Sequence, residues 1–276
     1  MGDWVPSNAA NLPGMEAEQQ IAALQSQVRL HLSHGRTAQA LEAAEECLAV
    51  TNTVFGKNHP VYASALNNLG MACKENGHYE DAVEHFGEAV RVYRAVLGDD
   101  HPSTATGMHN CAALYKNVAL TKKGFERQEM LVAAKEMYGD ALEVRKKVLE
   151  SPHHDIVATM QQLGGTMRML KEADEAEVLL VGGADMAAVL CAGKDDSLQL
   201  ATALNNLAFF YKSEGSFEQA RPLYERAVGI REAKRGPRHQ DTIVSKNNLA
   251  ELHLAMGDEE AAKAIQLEII TAVSNE

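Results

Sequence analysis

The sequence is poor in aromatic residues and in long apolar runs. Aromatic side chains make up 5% of its 276 residues although 46% are hydrophobic, so its apolar surface is largely Ala, Leu, Val and Met. That mixture suits helices that pack closely on one another. No run approaches the roughly 18 apolar residues that a membrane-spanning helix needs, and the N-terminus carries no basic, apolar, cleavable signal. We therefore expect no membrane contact.

Cysteine is also scarce, and positive charge is outnumbered. The four cysteines are far apart with no CxxC pair. We predict that Cys47, Cys73 and Cys111 are reduced, buried and structural, which indicates a reducing compartment and a cytoplasmic protein. The formal charge is −12, from 38 acidic and 26 basic side chains. That balance argues against nucleic acid as a partner.

Motifs that carry chemistry are missing as well. The sequence contains no GxxxxGK, GxGxxG, HExxH, GxSxG or EF-hand pattern. His59, His101, His153 and His239 recur at one slot of a repeat, and neighbouring repeats would place them roughly 10 Å or more apart. Metal ligands must lie about 2 Å from a shared ion. We therefore expect no metal site, no cofactor and no enzymatic activity.

What the sequence has is an internal repeat. Leu66-Asn-Asn-Leu-Gly70 aligns with Leu204-Asn-Asn-Leu-Ala208 and Lys246-Asn-Asn-Leu-Ala250. The fourth residue of this pattern recurs at positions 27, 69, 111, 163, 207 and 249, at spacings of 42, 42, 52, 44 and 42 residues. A fixed period of this length indicates stacked supersecondary units. Such chains usually present a binding surface.

The second unit shows the pattern of one repeat most clearly. Leu66, Leu69, Gly70 and Cys73 are spaced as one face of a helix, which Gly77 ends. A second helix opens at Tyr79 and has its own apolar face. A phrase of Gly-Asp-Asp-His-Pro then ends the unit and starts the next one. Each unit is thus predicted to be a helical hairpin that must stack on its neighbour.

At these residues the chain resembles the tetratricopeptide repeat (TPR) family. The small residue is Gly70, the turn residue is Gly77, and the second-helix positions are Tyr79, Ala82, Phe86 and Ala89. The 42-residue period exceeds the usual 34, and the LNNLA and DHP phrases are similar to the long repeats of kinesin light chains. The resemblance covers about 94% of the chain. It implies an all-α, right-handed TPR superhelical solenoid of about six helical hairpins.

The resemblance also divides the chain. We expect a disordered tail over residues 1–16 and the solenoid over residues 17–276. The approximate units are 17–60, 61–102, 103–154, 155–198, 199–240 and 241–276. The tail contains Trp4, and either remains disordered or occupies the groove. The last unit ends without a further polar helix, which predicts a partner, a second copy or a shortened chain.

Two units depart from the pattern. The third unit carries ten extra residues, and its turn glycine moves to Gly124, so both helices should lengthen by five residues. The projecting tip is either a tolerated insertion or a docking knob formed by Lys122, Lys123, Phe125 and Arg127. In the fourth unit, Val181-Gly182-Gly183-Ala184 is predicted to interrupt the second helix, as a hinge or as a close helix contact.

The first helices of such solenoids line the concave face, so residues at one slot form a column along it. The candidate groove contains carboxamides, one histidine, cations and two apolar side chains. These residues are Asn67, Asn68, Met71, Lys74, His109, Asn110, Lys116, Gln161, Arg168, Asn205, Asn206, Phe209, Lys212 and Asn247. Carboxamides can bind a peptide backbone, and the Lys/Arg column favours an acidic segment. Alternatively, the asparagines brace neighbouring helices, and Met71 and Phe209 fill the core.

We therefore expect a non-enzymatic scaffold or adaptor that binds an acidic or aromatic-acidic segment of a protein partner. A motor-cargo or cytoskeletal adaptor role is implied by the resemblance. The alternative is a structural subunit of a large assembly, docked through its ends, its convex face and the extended third hairpin. A homo-oligomer formed through the C-terminal helix is a further expectation.

Overall fold

The computed structural model describes residues 13–191 and 197–274, which form twelve α-helices and no strand. They fall into two compact units, which divide between Val148 and Leu149. The first unit contains α1 (Pro13–Ser33), α2 (Thr37–Phe55), α3 (Pro60–Glu75), α4 (Tyr79–Leu97), α5 (Pro102–Thr121) and α6 (Gly124–Val148). The second contains α7 (His154–Met169), α8 (Ala173–Leu190), α9 (Leu198–Ser213), α10 (Phe217–Arg235), α11 (Gln240–Ala255) and α12 (Glu259–Ser274).

Consecutive helices pair into hairpins, and the hairpins stack within each unit. The first helices of neighbouring hairpins contact each other, α1 with α3 and α3 with α5 in the first unit, and α7 with α9 and α9 with α11 in the second. Among the described residues, the second helices of neighbouring hairpins make no such contact. Because the first helices lie closer together, each unit curves with its first helices on the inner side. We call this inner side the concave face of each unit.

The hairpins are held together by a small residue of the first helix that faces a large side chain of the second. A Cβ placed on Gly70 would lie 3.1 Å from the ring of Phe86, and one on Gly164 would lie 2.8 Å from Cγ of Leu180. The large side chains at this slot are fully buried, namely Phe86, Tyr138, Leu180 and Tyr224. The two helix axes can therefore approach closely, as the alanine-rich sequence predicts.

Histidines begin four of the first helices, at the slot that the sequence repeats between units. The Nδ1 atom of His59 accepts a hydrogen bond from the backbone N–H of Val61 at 3.2 Å, and His101, His153 and His239 accept from the residue two places on at 3.0, 3.0 and 3.1 Å. Ser197 caps α9 in the same way. These imidazoles thus act as helix caps that satisfy one orphan N–H group each.

The third hairpin takes up its extra residues in both helices. Its helices α5 and α6 have 20 and 25 residues, whereas α3 and α4 of the preceding hairpin have 16 and 19. At a rise of about 1.5 Å per residue, the third hairpin extends roughly 6–9 Å further. Only Lys122 and Lys123 separate the two helices.

The predicted interruption of the fourth hairpin is wrong. Helix α8 runs without a break through Gly182 and Gly183. A Cβ on Gly183 would lie 2.6 Å from Nε2 of Gln161, and one on Gly182 would lie 3.0 Å from Cε of Met160. The two glycines therefore allow α7 to approach α8 closely, which was the second of the two interpretations.

The boundary of the predicted tail is also partly wrong. Helix α1 begins at Pro13, because a proline at the first helical position gives up an N–H group that would have no partner there. Residues 1–12, and with them the Trp4 of the predicted tail, lie outside the described residues. No helix of the described part of the chain is both long enough and apolar enough to cross a bilayer.

The close contact predicts opposite effects for two glycine substitutions in the second unit. Gly164→Ala should lower the free energy of unfolding by about 1–3 kcal/mol, because its Cβ meets Leu180 and the carbonyl oxygen of Ala176. Gly229→Ala, at a position in α10 with open space around it, should raise that free energy by roughly 0.5–1 kcal/mol. Urea unfolding followed by circular dichroism measures both changes. A Gly164→Ala variant as stable as the Gly229→Ala control would contradict the packing described.

Candidate protein-binding site

The asparagines of the concave face link neighbouring first helices. In the first unit, Nδ2 of Asn110 donates a hydrogen bond to Oδ1 of Asn67 at 2.9 Å. In the second unit, Oδ1 of Asn205 accepts hydrogen bonds from Nδ2 of Asn248 and from Oγ of Ser245, each at 3.2 Å. Both links join residues of successive hairpins. These asparagines therefore brace the stack.

The bracing bonds use the carboxamide oxygens of Asn67 and Asn205. Each Nδ2 group still has protons to donate, since a carboxamide nitrogen carries two. Asn68 and Asn206 are half-buried and Asn247 is exposed, and their side chains form no hydrogen bond with another described residue. The concave face therefore offers mainly N–H donors at Asn67 and Asn205, and complete carboxamides at the other three positions.

Gln161 does not belong to this surface, and its assignment to the groove is wrong. Its side chain is buried, and its Nε2 donates a hydrogen bond to the carbonyl oxygen of Leu180 at 3.2 Å. The missing side chain of Gly183 gives this amide its room. Met71 is half-buried and packs against the hydrophobic core of the first unit.

The column of cations is partly neutralised by its neighbours. Lys74 forms an ion pair with Glu75 at 2.9 Å, and Lys212 forms one with Glu251 at 2.6 Å. Lys116 is half-buried. These slots therefore do not form a uniformly positive stripe, because the charges of Lys74 and Lys212 are offset within the protein.

Arg168 is the exception in this column. It is half-buried and forms no ion pair with another described residue. Burial lowers the pKa of its guanidinium, and the nearby charge of Glu214 partly opposes that shift. The guanidinium carbon lies 4.6 Å from the centre of the Phe209 ring, and Nζ of Lys212 lies 5.8 Å from the same ring. Phe209 is 37% exposed. We call Arg168, Phe209 and Lys212 the aromatic–cation patch.

In the described part of the chain, side chains of the types that bind metals do not cluster. Among residues 16–191 and 197–274, no group of three or more His, Cys, Asp or Glu side chains could hold a metal ion. Cys47, Cys73 and Cys111 are buried free thiols, and burial raises the pKa of the last two to about 11. Such thiols are poorly reactive at neutral pH.

Comparison of the sequence with protein families decides the classification. The sequence pattern of the tetratricopeptide repeat family matches residues 20–95 and 199–273, which together exceed half of the chain. The chain belongs to the tetratricopeptide repeat family. Comparison with curated protein sequences gives no match.

Solved structures with the same TPR architecture include repeats of the kinesin-light-chain type. The nearly identical TPR-like repeats of a kinesin-light-chain protein from Podosopora anserina are 21% identical, with 78% of this chain and 96% of that chain covered and a TM-score of 0.61. BtubC (BKLC) from P. vanneervenii is 18% identical, with 94% and 93% covered and a TM-score of 0.64. The quorum sensor NprR from B. thuringiensis is 14% identical, with 97% and 68% covered and a TM-score of 0.66. This chain is therefore an all-α TPR solenoid with repeats like those of kinesin light chains.

Two buried arginines of this TPR chain were not predicted from the sequence. Arg231 of α10 donates hydrogen bonds to the carbonyl oxygen of Asp241 at 3.0 Å, to Oγ of Ser245 at 2.6 Å and to Oγ1 of Thr202 at 3.2 Å. It thus ties α10 to α9 and α11. Burial lowers the pKa of its guanidinium. Arg145 has the equivalent slot in α6 and lies within hydrogen-bond distance of Thr106 and His109.

These arginines could have been found from the repeat alignment. Arg145 and Arg231 lie seven residues after Tyr138 and Tyr224, the large buried side chains of the same helices. A cation on the buried face of a helix needs partners of its own. In this chain those partners are hydroxyl, carbonyl and imidazole groups of the first helices, so the arginines also link neighbouring helices.

The tip of the third TPR hairpin, for which docking is one of the two predicted roles, is exposed. Phe125 is 75% exposed, and Lys123 and Arg127 are exposed beside it. Lys122 lies 3.6 Å from the carboxylate of Glu126. The tip is therefore less basic than its sequence indicates, because one of its three cations is offset.

The bracing network predicts different costs for two neighbouring asparagines. Asn205→Ala should lower the free energy of unfolding by about 1–2 kcal/mol, because Ser245 and Asn248 lose a shared acceptor in a half-buried site. Asn206→Ala removes no bond to another described residue and should cost less than about 0.5 kcal/mol. Thermal unfolding of the two variants at matched concentration measures the difference. Equal losses of stability in the two variants would show that the hydrogen bonds of Asn205 do not stabilise the stack.

Proposed function

We propose that this protein is a non-enzymatic scaffold that binds an extended, acidic segment of a protein partner on the concave face of its second unit. A motor-cargo or cytoskeletal adaptor in the cytoplasm is the role that its kinesin-light-chain-like repeats favour. The buried, unpaired thiols fit a reducing compartment.

The aromatic–cation patch is the observation that carries this proposal. Phe209 is a large apolar side chain that stays partly exposed on a first helix, and two cations lie 4.6 and 5.8 Å from the centre of its ring. An exposed aromatic ring of this kind can pack against an apolar or aromatic side chain of a ligand. A carboxylate next to that side chain would meet Arg168, whose charge is not offset by an ion pair within the described residues. An aromatic-acidic segment satisfies both parts of the patch.

The asparagines nearby favour an extended backbone. The Oδ1 atom of Asn205 is already used by Ser245 and Asn248, so its amide nitrogen is what it offers a ligand. Extended peptides present carbonyl oxygens at regular intervals, and amide donors on a rigid helix can bind them without demanding a side-chain sequence. Bracing and peptide binding are therefore compatible, because each uses a different atom of the same carboxamide.

A charge reversal in the patch tests the proposal. The probe is a fluorescein-labelled nonapeptide with one tryptophan flanked by glutamates, and its counterpart has lysines in place of the glutamates. Arg168→Glu/Lys212→Glu should weaken binding of the glutamate peptide by roughly tenfold or more, because two attractive contacts become repulsive. Fluorescence anisotropy measures the affinity. Binding should also weaken as salt rises.

The matched control is Arg238→Glu/Lys263→Glu, which changes the net charge equally at exposed positions outside the patch. It should bind the glutamate peptide as the wild type does. The same variants can be used in cross-linked pull-downs from the native cell, where the main partners should disappear with the patch variant alone. An equal loss in both variants, or stronger binding of the lysine peptide, would contradict the proposal.

A second candidate function, a structural subunit of an assembly, is favoured by the last helix. Leu267, Ile270 and Val273 are 63%, 60% and 54% exposed on one face of α12. Ile270 has the same position in its repeat as Val228 of α10, and Val228 is buried in the core of the second unit. The face thus has the chemistry of a stacking surface. We propose that it pairs with the same face of a second copy, since an apolar surface is complementary to itself across a two-fold axis.

Analytical ultracentrifugation tests this pairing. The wild type should form a dimer whose fraction rises with protein concentration, and Leu267→Glu/Ile270→Glu should sediment as a monomer at every concentration. Both side chains are exposed, so the variant should keep its helix content. A wild type that stays monomeric at the highest concentration would overturn the pairing and would leave the peptide-binding proposal unaffected.

A further inference from the structure

The extended third hairpin creates a cleft in the first unit. A cavity of about 710 Å³ lies between the tip of the second hairpin and the projecting part of the third. Its apolar walls are the side chains of Val83 from α4, Val118 from α5 and Met130 from α6. Tyr79, which is partly exposed, borders the same cavity. The volume suits one or two side chains of a ligand.

The cleft depends on the extra residues of the third hairpin. Thr121 and Lys122 line the cavity from the end of α5, and Met130 lines it from the first turns of α6. Helix α5 is four residues longer than α3, so its last turn passes beside the turn of the second hairpin. Hairpins of ordinary length would leave the start of α4 open on this side.

The polar rim of the cleft favours a cation. Glu80 and Asp81 line it from the first turn of α4, and both are exposed. Neither carboxylate forms an ion pair with another described residue. Two basic side chains, Lys122 and His78, also line the rim, and Glu126 offsets the charge of Lys122 at 3.6 Å.

We propose that this cleft binds an arginine side chain, together with an adjacent apolar side chain, from a basic segment of a partner protein. The guanidinium would bind the carboxylates of Glu80 and Asp81, and its flat face can stack on the ring of Tyr79. The aliphatic stem and the neighbouring apolar side chain would cover Val83, Val118 and Met130. Arginine fits better than lysine because it combines a flat cation with paired donors.

The cleft and the concave face select opposite charges. The aromatic–cation patch of the second unit attracts carboxylates, whereas the rim of the cleft repels them. The inference therefore goes beyond the proposed function and does not depend on it, because no residue of the patch lines the cleft.

NMR of the whole chain tests the cleft. The probe is an acetylated hexapeptide amide of alternating leucine and arginine, and its counterpart has glutamate in place of arginine. The methyl signal of Met130, assigned by its loss in Met130→Leu, should shift in a saturable way with the arginine peptide and should not move with the glutamate peptide. Glu80→Gln/Asp81→Asn should weaken binding of the arginine peptide roughly tenfold.

The matched control is Glu84→Gln/Glu136→Gln, which removes two exposed carboxylates, one on α4 and one on α6. Neither carboxylate lines the cleft. It should bind the arginine peptide with unchanged affinity. Arg168→Glu/Lys212→Glu should also bind this peptide as the wild type does, so a failure of the concave face would be separately visible. An unmoved Met130 signal, or equal weakening in the control, would overturn the proposal.

Discussion

The distance between the two helices of each hairpin is set by one small residue, and the other features of the stack follow from it. Where Gly70 faces Phe86, or Gly164 faces Leu180, the missing side chain lets a large one enter the interface between the helices. That contact buries the large side chain, Phe86 or Leu180, within its own hairpin. The remaining apolar face of each hairpin must then be covered by a neighbour, which is why the units stack. Among the described residues, neighbouring first helices touch and second helices do not, so the first helices lie on the concave side of each unit.

Features that recur at a fixed slot could be predicted from the sequence, because each is determined within one hairpin. The helical hairpins and the TPR architecture are of this kind. The prediction of a break in α8 was wrong because it considered that helix alone. Gly182 and Gly183 are weak helix formers when α8 is considered alone, but their positions are fixed by Met160 and Gln161 of α7, which need the space. Contacts between helices can override local propensity. Gln161 was misplaced for the same reason, since its amide uses the space that Gly183 leaves.

The sequence predicted which repeat positions form the candidate site. It did not predict the hydrogen bonds and ion pairs that their side chains make. The alignment placed asparagines on the first helices. It could not show that Oδ1 of Asn205 would accept hydrogen bonds from Ser245 and Asn248 of the next hairpin. Nor could it show that Glu251 would offset Lys212 while Arg168 lacks such a partner. Each of these outcomes depends on a residue about 40 positions away. The alignment contained a usable signal for Arg145 and Arg231, because a cation seven residues beyond a buried ring must find partners inside the protein.

The extended third hairpin shows how a repeat protein can gain a second surface at little cost. Each residue added to an existing helix makes its own backbone hydrogen bond, so lengthening two paired helices leaves no polar group buried without a partner. The slots that hold Tyr138 and Ala141 are unchanged, and the stack of the first unit is undisturbed. The added length projects beyond the neighbouring hairpin and encloses a cleft that has a different chemistry from the concave face. The two proposed sites, one for carboxylates at Arg168 and one for cations at Glu80 and Asp81, are compatible with a net acidic chain, because each depends on the nearest charges rather than on their sum.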